Sequence, residues 1–213
     1  MNFIKKLKFK NKEIYYIKID ELLKDNYNNL IKKFCNYDDI LRINKYYFEY
    51  DRYRHLSSIV LQKYVIKKFT NYNNDYKDIF IKRTPNNKPY YSINNNIIHY
   101  NVSHDKDIII IIFSERSVGI DIMSIDKKNI TENLLNKSCY KDEINIDKLK
   151  LWTLIESYYK ATGQGIIDIN NRNFFFKDIN KEFVIFFNCD NKENYIFNTF
   201  QIEDYIISIS EVK

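Results

Sequence analysis

Apolar positions recur along this chain with two periods. Residues 13–19 read Glu-Ile-Tyr-Tyr-Ile-Lys-Ile, a short apolar run that predicts a first strand. From 21 to 34 the apolar residues return every three or four positions, at Leu22, Leu23, Tyr27, Leu30, Ile31 and Phe34, which predicts a helix. Helical spacing resumes over 38–69, with Tyr53, Leu56, Val60 and Tyr64 on one stripe and Arg42, Lys45, Arg52 and Arg54 projecting elsewhere, so two consecutive helices are expected. An Asn/Asp-rich loop then leads to an expected strand at 79–83 and a proline-bounded turn at 84–89. Strands are expected at 108–113 and 118–123, paired as a hairpin through residues 114–117. Residues 149–162 predict a helix that Gly163 stops, and apolar runs at 183–187, 195–200 and 205–209 return to sheet. The class is therefore mixed α/β (α+β), with no proline- or serine-rich linker and no internal repeat visible in the sequence.

Composition narrows the picture. At 213 residues with 45% hydrophobic and 29% charged side chains, the chain is too apolar for disorder and has enough material for a sizeable core. Its longest apolar run, 108–113, is far too short for a membrane helix, and the basic start has no apolar stretch behind it. A cytoplasmic protein with no membrane partner is expected, with organellar import left open because the first acidic residue is Glu13. The net charge of +6 suits an anionic ligand or an acidic partner. Cys35, Cys139 and Cys189 form no CxxC pair, and with three histidines in all they suggest reduced core thiols instead of a zinc site. Asn, Lys, Ile, Tyr and Phe dominate, so rare residues carry more information. All three glycines (Gly119, Gly163, Gly165), both prolines (Pro85, Pro89), Trp152 and the only alanine, Ala161, fall between 85 and 165. That window is expected to hold the chemistry.

Within it, Asp121 sits inside an apolar strand, where a carboxylate needs a cation or hydrogen bonds to compensate it; an ion pair with a lysine would suffice. Glu156 and Lys160 are spaced i, i+4 and share a helix face, a pair worth only about 0.3–0.5 kcal/mol if it is an ordinary surface pair. Trp152 one turn before them and Gly163-Gln164-Gly165 after them argue for more. Asn101-Val102-Ser103-His104 ends a strand with polar groups, and Asn87-Lys88-Pro89 puts a lysine on a rigid turn. Two carboxylates on different elements, several lysines and a histidine are the parts needed for Mg²⁺-assisted chemistry on a phosphate ester, since magnesium takes one or two protein carboxylates and completes its octahedron with water and phosphate. No P-loop or dinucleotide glycine motif is present.

Taken together and in order, Asn87-Lys88-Pro89, Asn101-Val102-Ser103-His104, Val118-Gly119-Ile120-Asp121-Ile122 and the stretch from Trp152 through Glu156, Lys160, Ala161 and Gly163 to Gly165 closely resemble the 4'-phosphopantetheinyl transferases of the larger, surfactin-synthetase type. There is also similarity to the eukaryotic lysine-biosynthesis type. The resemblance extends over residues 38–165, because Arg42, Lys45 and Asp51-Arg52-Tyr53-Arg54-His55-Leu56 are similar to the family's coenzyme A-binding helical region. It implies a pseudo-twofold fold of two similar halves, 1–113 and 114–213, each with a small sheet on helices, and an active site at their interface. It further implies Mg²⁺ on Asp121 and Glu156, with Glu156 also activating the serine of an apo acyl or peptidyl carrier protein. Lys160 and Lys88 would hold the pyrophosphate and its neighbourhood; His104, Ser103, Arg42, Lys45 and Arg54 would engage the coenzyme A phosphates, the 3'-phosphate in particular. The implied catalytic set is Glu156, Lys160 and Asp121, acting in a monomer.

The chain departs from the family pattern at three places. Asn87 replaces the glycine of the usual GKP, a mild change because Asn also tolerates left-handed backbone. Met123 stands where bacterial members carry a third acidic ligand, as it does in the lysine-biosynthesis type. Ile155 replaces the lysine before Glu156; adjacent helix positions point about 100° apart, so the position is expected to flank the phosphate or the carrier protein, the alternative being that Ile155 packs as core. Two rivals follow. One is a coenzyme A-binding relative with weakened transfer, motivated by Ile155. The other is a basic nucleic-acid-binding protein, which only the lysines at 5–12 support and which lacks any RNP-type run.

Overall fold

The computed structural model describes residues 3–23, 27–93, 96–127, 147–163, 174–179, 182–187 and 195–212. Two compact units divide the chain: residues 1–84 with 89–113 form the first, and 85–88 with 114–213 form the second. Among the described residues no helix is long and apolar enough to cross a membrane.

In the first unit the strands are β1 (Lys5–Phe9), β2 (Lys12–Lys18), β3 (Lys82–Arg83), β4 (Pro89–Ile93), β5 (Asn96–Asp105) and β6 (Ile108–Ser114), in the sheet order β1-β2-β6-β5-β4-β3. The helices are α1 (Ile19–Leu23), α2 (Tyr27–Phe34), α3 (Tyr37–Asn44) and α4 (Glu49–Thr70). Alternation along the strands explains the core. Tyr15 stands opposite Ile111, and Ile17 opposite Ile109, and all four join Leu56, Ile59 and Val60 of α4 in one apolar cluster. Their neighbours Ile14, Ile110 and Ile112 are buried as well, so β6 is covered on both faces, which is why its sequence is a continuous apolar run and not an alternating one.

Helix α3 begins with a capping box: Asn36 Oδ1 accepts from the Asp39 amide at 3.0 Å, and the Asn36 amide donates to Asp39 Oδ2 at 3.1 Å. The same carboxylate receives the buried ammonium of Lys63 at 2.5 Å, which ties the start of α3 to the middle of α4. Removing either partner would leave a buried charge uncompensated, so the pair fixes where α3 lies.

The second unit holds β7 (Val118–Ser124), β8 (Phe174–Ile179), β9 (Glu182–Phe187), β10 (Tyr195–Ile202) and β11 (Tyr205–Val212) in the order β7-β11-β10-β9-β8, together with helix α5 (Lys148–Thr162). Helix α5 is buried on most of its circumference; Leu151, Trp152, Leu154, Ile155, Tyr158 and Tyr159 cluster with Tyr195 and Phe197. Short hydroxyls join it to β11: Thr153 Oγ1 meets Ser208 Oγ at 2.7 Å, and Ser157 Oγ meets Ser210 Oγ at 2.5 Å. Small polar residues there let helix and strand approach with their hydroxyls satisfied.

Several elements differ from the sequence expectation. The hairpin expected through 114–117 does not form. β6 is already flanked by β2 and β5, leaving no free edge, and β7 pairs antiparallel with β11, Asp121 opposite Ser208. The expected first strand gains an unanticipated partner, β1, through a turn with Lys10 at φ 51°. Residues 21–34 fall into α1 and α2, with 24–26 outside the described residues. The strand expected at 79–83 shrinks to β3, because residues Tyr76–Asp78 form a 3-10 turn that Ile79 closes. The strands read at 183–187, 195–200 and 205–209 lie within β9, β10 and β11, while β8 was not foreseen.

Candidate functional site

Two groups of polar residues stand out, one in each unit. In the second unit the site begins with a missing side chain. A Cβ on Gly119 would lie 1.9 Å from the Ser157 carbonyl oxygen and 2.5 Å from the Ala161 amide nitrogen, so only glycine lets α5 lie directly on β7. That approach brings Lys160 to Asp121: the ammonium meets Asp121 Oδ1 at 2.6 Å, and the carboxylate is 6% exposed. The expectation that a cation compensates Asp121 is met from the neighbouring helix. Glu156, one turn back on the same face, is pushed up to about 7 by burial first and by the Asp121 charge second, with Lys160 opposing. Asp121, Glu156 and Lys160 thus form one electrostatically coupled set.

Helix α5 starts on Asp147, whose carboxylate accepts from the Leu149 amide at 3.0 Å, and ends on Gly163, at φ 72°, whose amide donates to the Tyr159 carbonyl at 2.9 Å. Gly165 lies outside the described residues. Lys88 reaches this same helix end. Its ammonium donates to the Ala161 carbonyl at 2.6 Å and lies 3.4 Å from the Val118 carbonyl, and burial lowers it to about 8. Trp152 and Met123 pack in or against the apolar cluster of the unit.

Ile155 requires a correction. It was expected to flank a phosphate or a protein partner, but it is 1% exposed and sits between Leu151 and Tyr159 in the core. The expectation assumed a helix with one apolar face. Helix α5 is buried on most of its circumference, by apolar side chains and by the paired hydroxyls of Thr153 and Ser157, with Glu156 and Lys160 on the less buried stripe.

The first unit gathers basic side chains. Arg42 from the last turn of α3, His55 from α4, Arg83 from β3 and His104 from β5 lie close enough to act on one another. Burial lowers His55 to about 4, and Arg83, Arg42 and His104 add to that shift while Asp39 opposes it. Burial and Arg42 likewise lower Arg83. The Tyr46 ring lies 5.1 Å from the His55 ring. His104 is exposed while its neighbour Ser103 is buried, as strand alternation requires.

Of the sequence-derived residues, Arg42 and His104 therefore converge. Lys45 is exposed at the C-cap of α3, donating its amide to the Arg42 carbonyl at 3.3 Å. Arg54 turns to Asp51 at 2.6 Å, an i, i+3 pair on α4, and is not part of the group around His55. Sequence reasoning missed His55 and Arg83. Both signals were present: His55 adjoins Arg54 in the quoted helical stretch, and Arg83 immediately precedes the turn that carries Lys88.

Among the described residues, no group of three or more His, Cys, Asp and Glu side chains is placed to hold a metal ion. Cys35 is a buried free thiol that burial pushes up to about 12, in keeping with an inert core residue; Cys139 and Cys189 lie outside the described residues.

Comparison with known proteins agrees over both units. Residues 22–116 match the family described as 4'-phosphopantetheinyl transferase, N-terminal, and residues 117–210 match the 4'-phosphopantetheinyl transferase superfamily. The chain is 29% identical over 154 residues to the 4'-phosphopantetheinyl transferase gsp of Aneurinibacillus migulanus, covering 67% of this chain and 61% of that protein. It is 29% identical over 149 residues to a phosphopantetheinyl transferase of Thraustochytrium sp., covering 59% and 51%. It is 27% identical over 163 residues to the 4'-phosphopantetheinyl transferase Sfp of Bacillus subtilis, covering 72% and 71%. The chain thus spans little more than half the length of some of these relatives and about seven tenths of others. With both units matched in sequence order and the Asp121, Glu156 and Lys160 set assembled in the second, the chain belongs to the 4'-phosphopantetheinyl transferase superfamily.

Proposed function

We propose that this protein transfers the 4'-phosphopantetheine arm of coenzyme A to a serine of an apo acyl or peptidyl carrier protein, acting as a cytoplasmic monomer with neither nucleic acid nor membrane as its ligand. The observation that carries this reading is the coupled set on β7 and α5: Asp121 held by Lys160 at 2.6 Å, beside a Glu156 raised to about 7. Glu156 stands one turn from Lys160 on α5 and is coupled to Asp121, so it is the carboxylate placed to take a proton in this set.

In this reading the serine oxygen bonds to the β-phosphorus of coenzyme A, the bond from that phosphorus to the oxygen bridging to the α-phosphate breaks, and adenosine 3',5'-bisphosphate leaves. The serine proton passes to Glu156. Lys160 holds the pyrophosphate oxygens, and Arg42 and Arg83, with His104 and the uncharged His55 beside them, receive the nucleotide's phosphates. Asp121 and Glu156 also fit Mg²⁺: they are two coupled carboxylates, Glu156 being raised by its burial first and by the Asp121 charge second, and such an ion needs no more from a protein when water and phosphate complete its shell. When bound, magnesium would neutralise charge developing on the pyrophosphate. The burial of Ile155 removes the motive for reading the chain as a weakened relative, because a position inside the core is not a vacated phosphate contact.

Mass spectrometry of an apo carrier protein incubated with this protein, coenzyme A and Mg²⁺ tests the reading. A gain of one phosphopantetheine mass is expected. A panel of acyl and peptidyl carrier proteins that all stay unmodified while coenzyme A remains bound would overturn it.

A further inference from the structure

The resemblance assigns Lys88 to the pyrophosphate, but the geometry points elsewhere. Its ammonium donates to the carbonyl of Ala161, in the last turn of α5, and lies near the carbonyl of Val118, at the start of β7. These are the two elements that carry Glu156 with Lys160, and Asp121. The Ala161 carbonyl accepts a second bond, from Ser117 Oγ at 2.6 Å. Carbonyls of a last helical turn lack intrahelical donors and carry the negative end of the helix dipole, so a cation is favoured there. The lysine stem is held in place: Asn87 before it adopts left-handed backbone at φ 68°, Pro89 follows it, and a Cβ on Gly163 would touch its Cδ at 3.4 Å.

We propose that Lys88 is a positioning residue that staples the C-terminal end of α5 to β7 beside the Gly119 approach, and thereby sets Glu156 and Lys160 over Asp121. The inference rests on the transferase reading for its consequence in turnover and on the geometry alone for the staple. A phosphate ligand and a staple predict different losses. Removing a ligand weakens coenzyme A binding. Removing the staple leaves most of that binding in place, because Lys160 alone of the proposed phosphate contacts stands on α5, and blurs the spacing of the carboxylates.

The test compares Lys88→Met with Lys88→Arg by calorimetric coenzyme A affinity, Mn²⁺ affinity from electron paramagnetic resonance without coenzyme A, steady-state kinetics, and hydrogen exchange of the amides at 159–163. For Lys88→Met the expectation is coenzyme A affinity within about twofold of wild type, with Mn²⁺ affinity and kcat each lowered roughly tenfold or more, the scale of one charge-assisted hydrogen bond. Exchange at 159–163 quickens, and Lys88→Arg recovers most of each loss. A tenfold loss of coenzyme A affinity with unchanged Mn²⁺ affinity and exchange overturns the staple in favour of a phosphate ligand. A folded Lys88→Met unchanged in Mn²⁺ affinity and kcat reduces it to an ordinary helix cap and also overturns it. If Lys88→Met does not fold, Ser117→Ala, which removes the second donor on the same carbonyl, should show the same pattern more weakly, and an unchanged pattern there counts against the staple. Should the wild-type protein transfer nothing, the transferase reading fails while the exchange data still decide the staple.

Discussion

The two polar groups handle charge in opposite ways. In the second unit Asp121 is answered from within by Lys160, and Glu156 beside them is raised by its own burial first and by the Asp121 charge second. In the first unit the like charges Arg42 and Arg83 stand with His104 around His55, which burial first and these neighbours next lower to about 4, so that it is uncharged near neutrality, with Asp39 as the opposing charge. An internally neutralised set must exchange partners when a charged ligand arrives, whereas a like-charged group is relieved by an anion directly. The first arrangement suits chemistry, where groups must change roles; the second suits capture, where affinity comes from charge that has been waiting.

If that division is right, the largest effect belongs to the second unit. Glu156→Gln keeps the size and polarity of the side chain but loses the base and a metal donor together. Transfer should fall by at least about a hundredfold, with coenzyme A affinity nearly unchanged and circular dichroism as in wild type. Near wild-type turnover at saturating Mg²⁺ would dissolve the contrast between the units. Next in size are changes to the platform under α5. Gly119→Ala places a methyl where backbone atoms already stand, and about 3 kcal/mol or more of stability should be lost in chemical denaturation. Ile155→Lys, which a straight family reading would expect to raise activity, should instead destabilise by a similar amount, because it buries an ammonium among Leu151, Leu154 and Tyr159.

Ile155 also shows where the sequence stopped being legible. Helical period, the Gly163 stop and the i, i+4 spacing of Glu156 and Lys160 were readable because they depend on local geometry. How much of α5 is buried depends on β7, β10 and β11, which are distant in sequence, so the burial of Ile155 is not legible from helical spacing alone. The absent hairpin has the same origin: residues 114–117 look like a turn locally, but the partners of β6 and β7 are β2, β5 and β11. Asp121 was recognisable as needing a cation, and its partner turned out to be a residue already singled out. The first unit was read less completely. Arg42 and His104 are legible from sequence, yet His55 and Arg83 join them only through tertiary packing, and Arg54, equally basic in sequence, faces Asp51 instead.

That difference between Arg54 and Arg83 gives the next test of the capture side. Arg83→Ala should weaken coenzyme A binding roughly ten- to a hundredfold, the scale of losing charge-assisted hydrogen bonds to a phosphate, while Arg54→Ala stays within about threefold. Dephospho-coenzyme A sharpens it further. Wild type should prefer coenzyme A by a similar factor, and in Arg83→Ala the preference should shrink if the arginine serves the 3'-phosphate. Equal losses in both arginine variants, measured by calorimetry, would mean that overall positive charge and not this particular group captures the ligand.

The smallest effect is a proton. His55 lies at about 4 because it is buried and faces Arg83 from β3, Arg42 from α3 and His104 from β5, with Asp39 of α3 the opposing charge. In the unfolded chain it would titrate near 6.5, so between about 4 and 6.5 the unfolded state binds more protons than the folded one. Stability is therefore lost as pH falls through that window, and His55→Gln should flatten the slope. A phosphate placed against these cations reverses the balance, since its negative charge favours imidazolium and raises His55 toward its ordinary value. Binding of adenosine 3',5'-bisphosphate near pH 5.5 should then take up a fraction of a proton, read as a dependence of calorimetric heat on the ionisation enthalpy of the buffer. The nucleotide's phosphates titrate in the same range, so the quantity that matters is the difference between wild type and His55→Gln. That difference should be positive at pH 5.5 and vanish at pH 8. If it is absent at both, the anion does not reach His55, and capture is left to Arg42, Arg83 and His104.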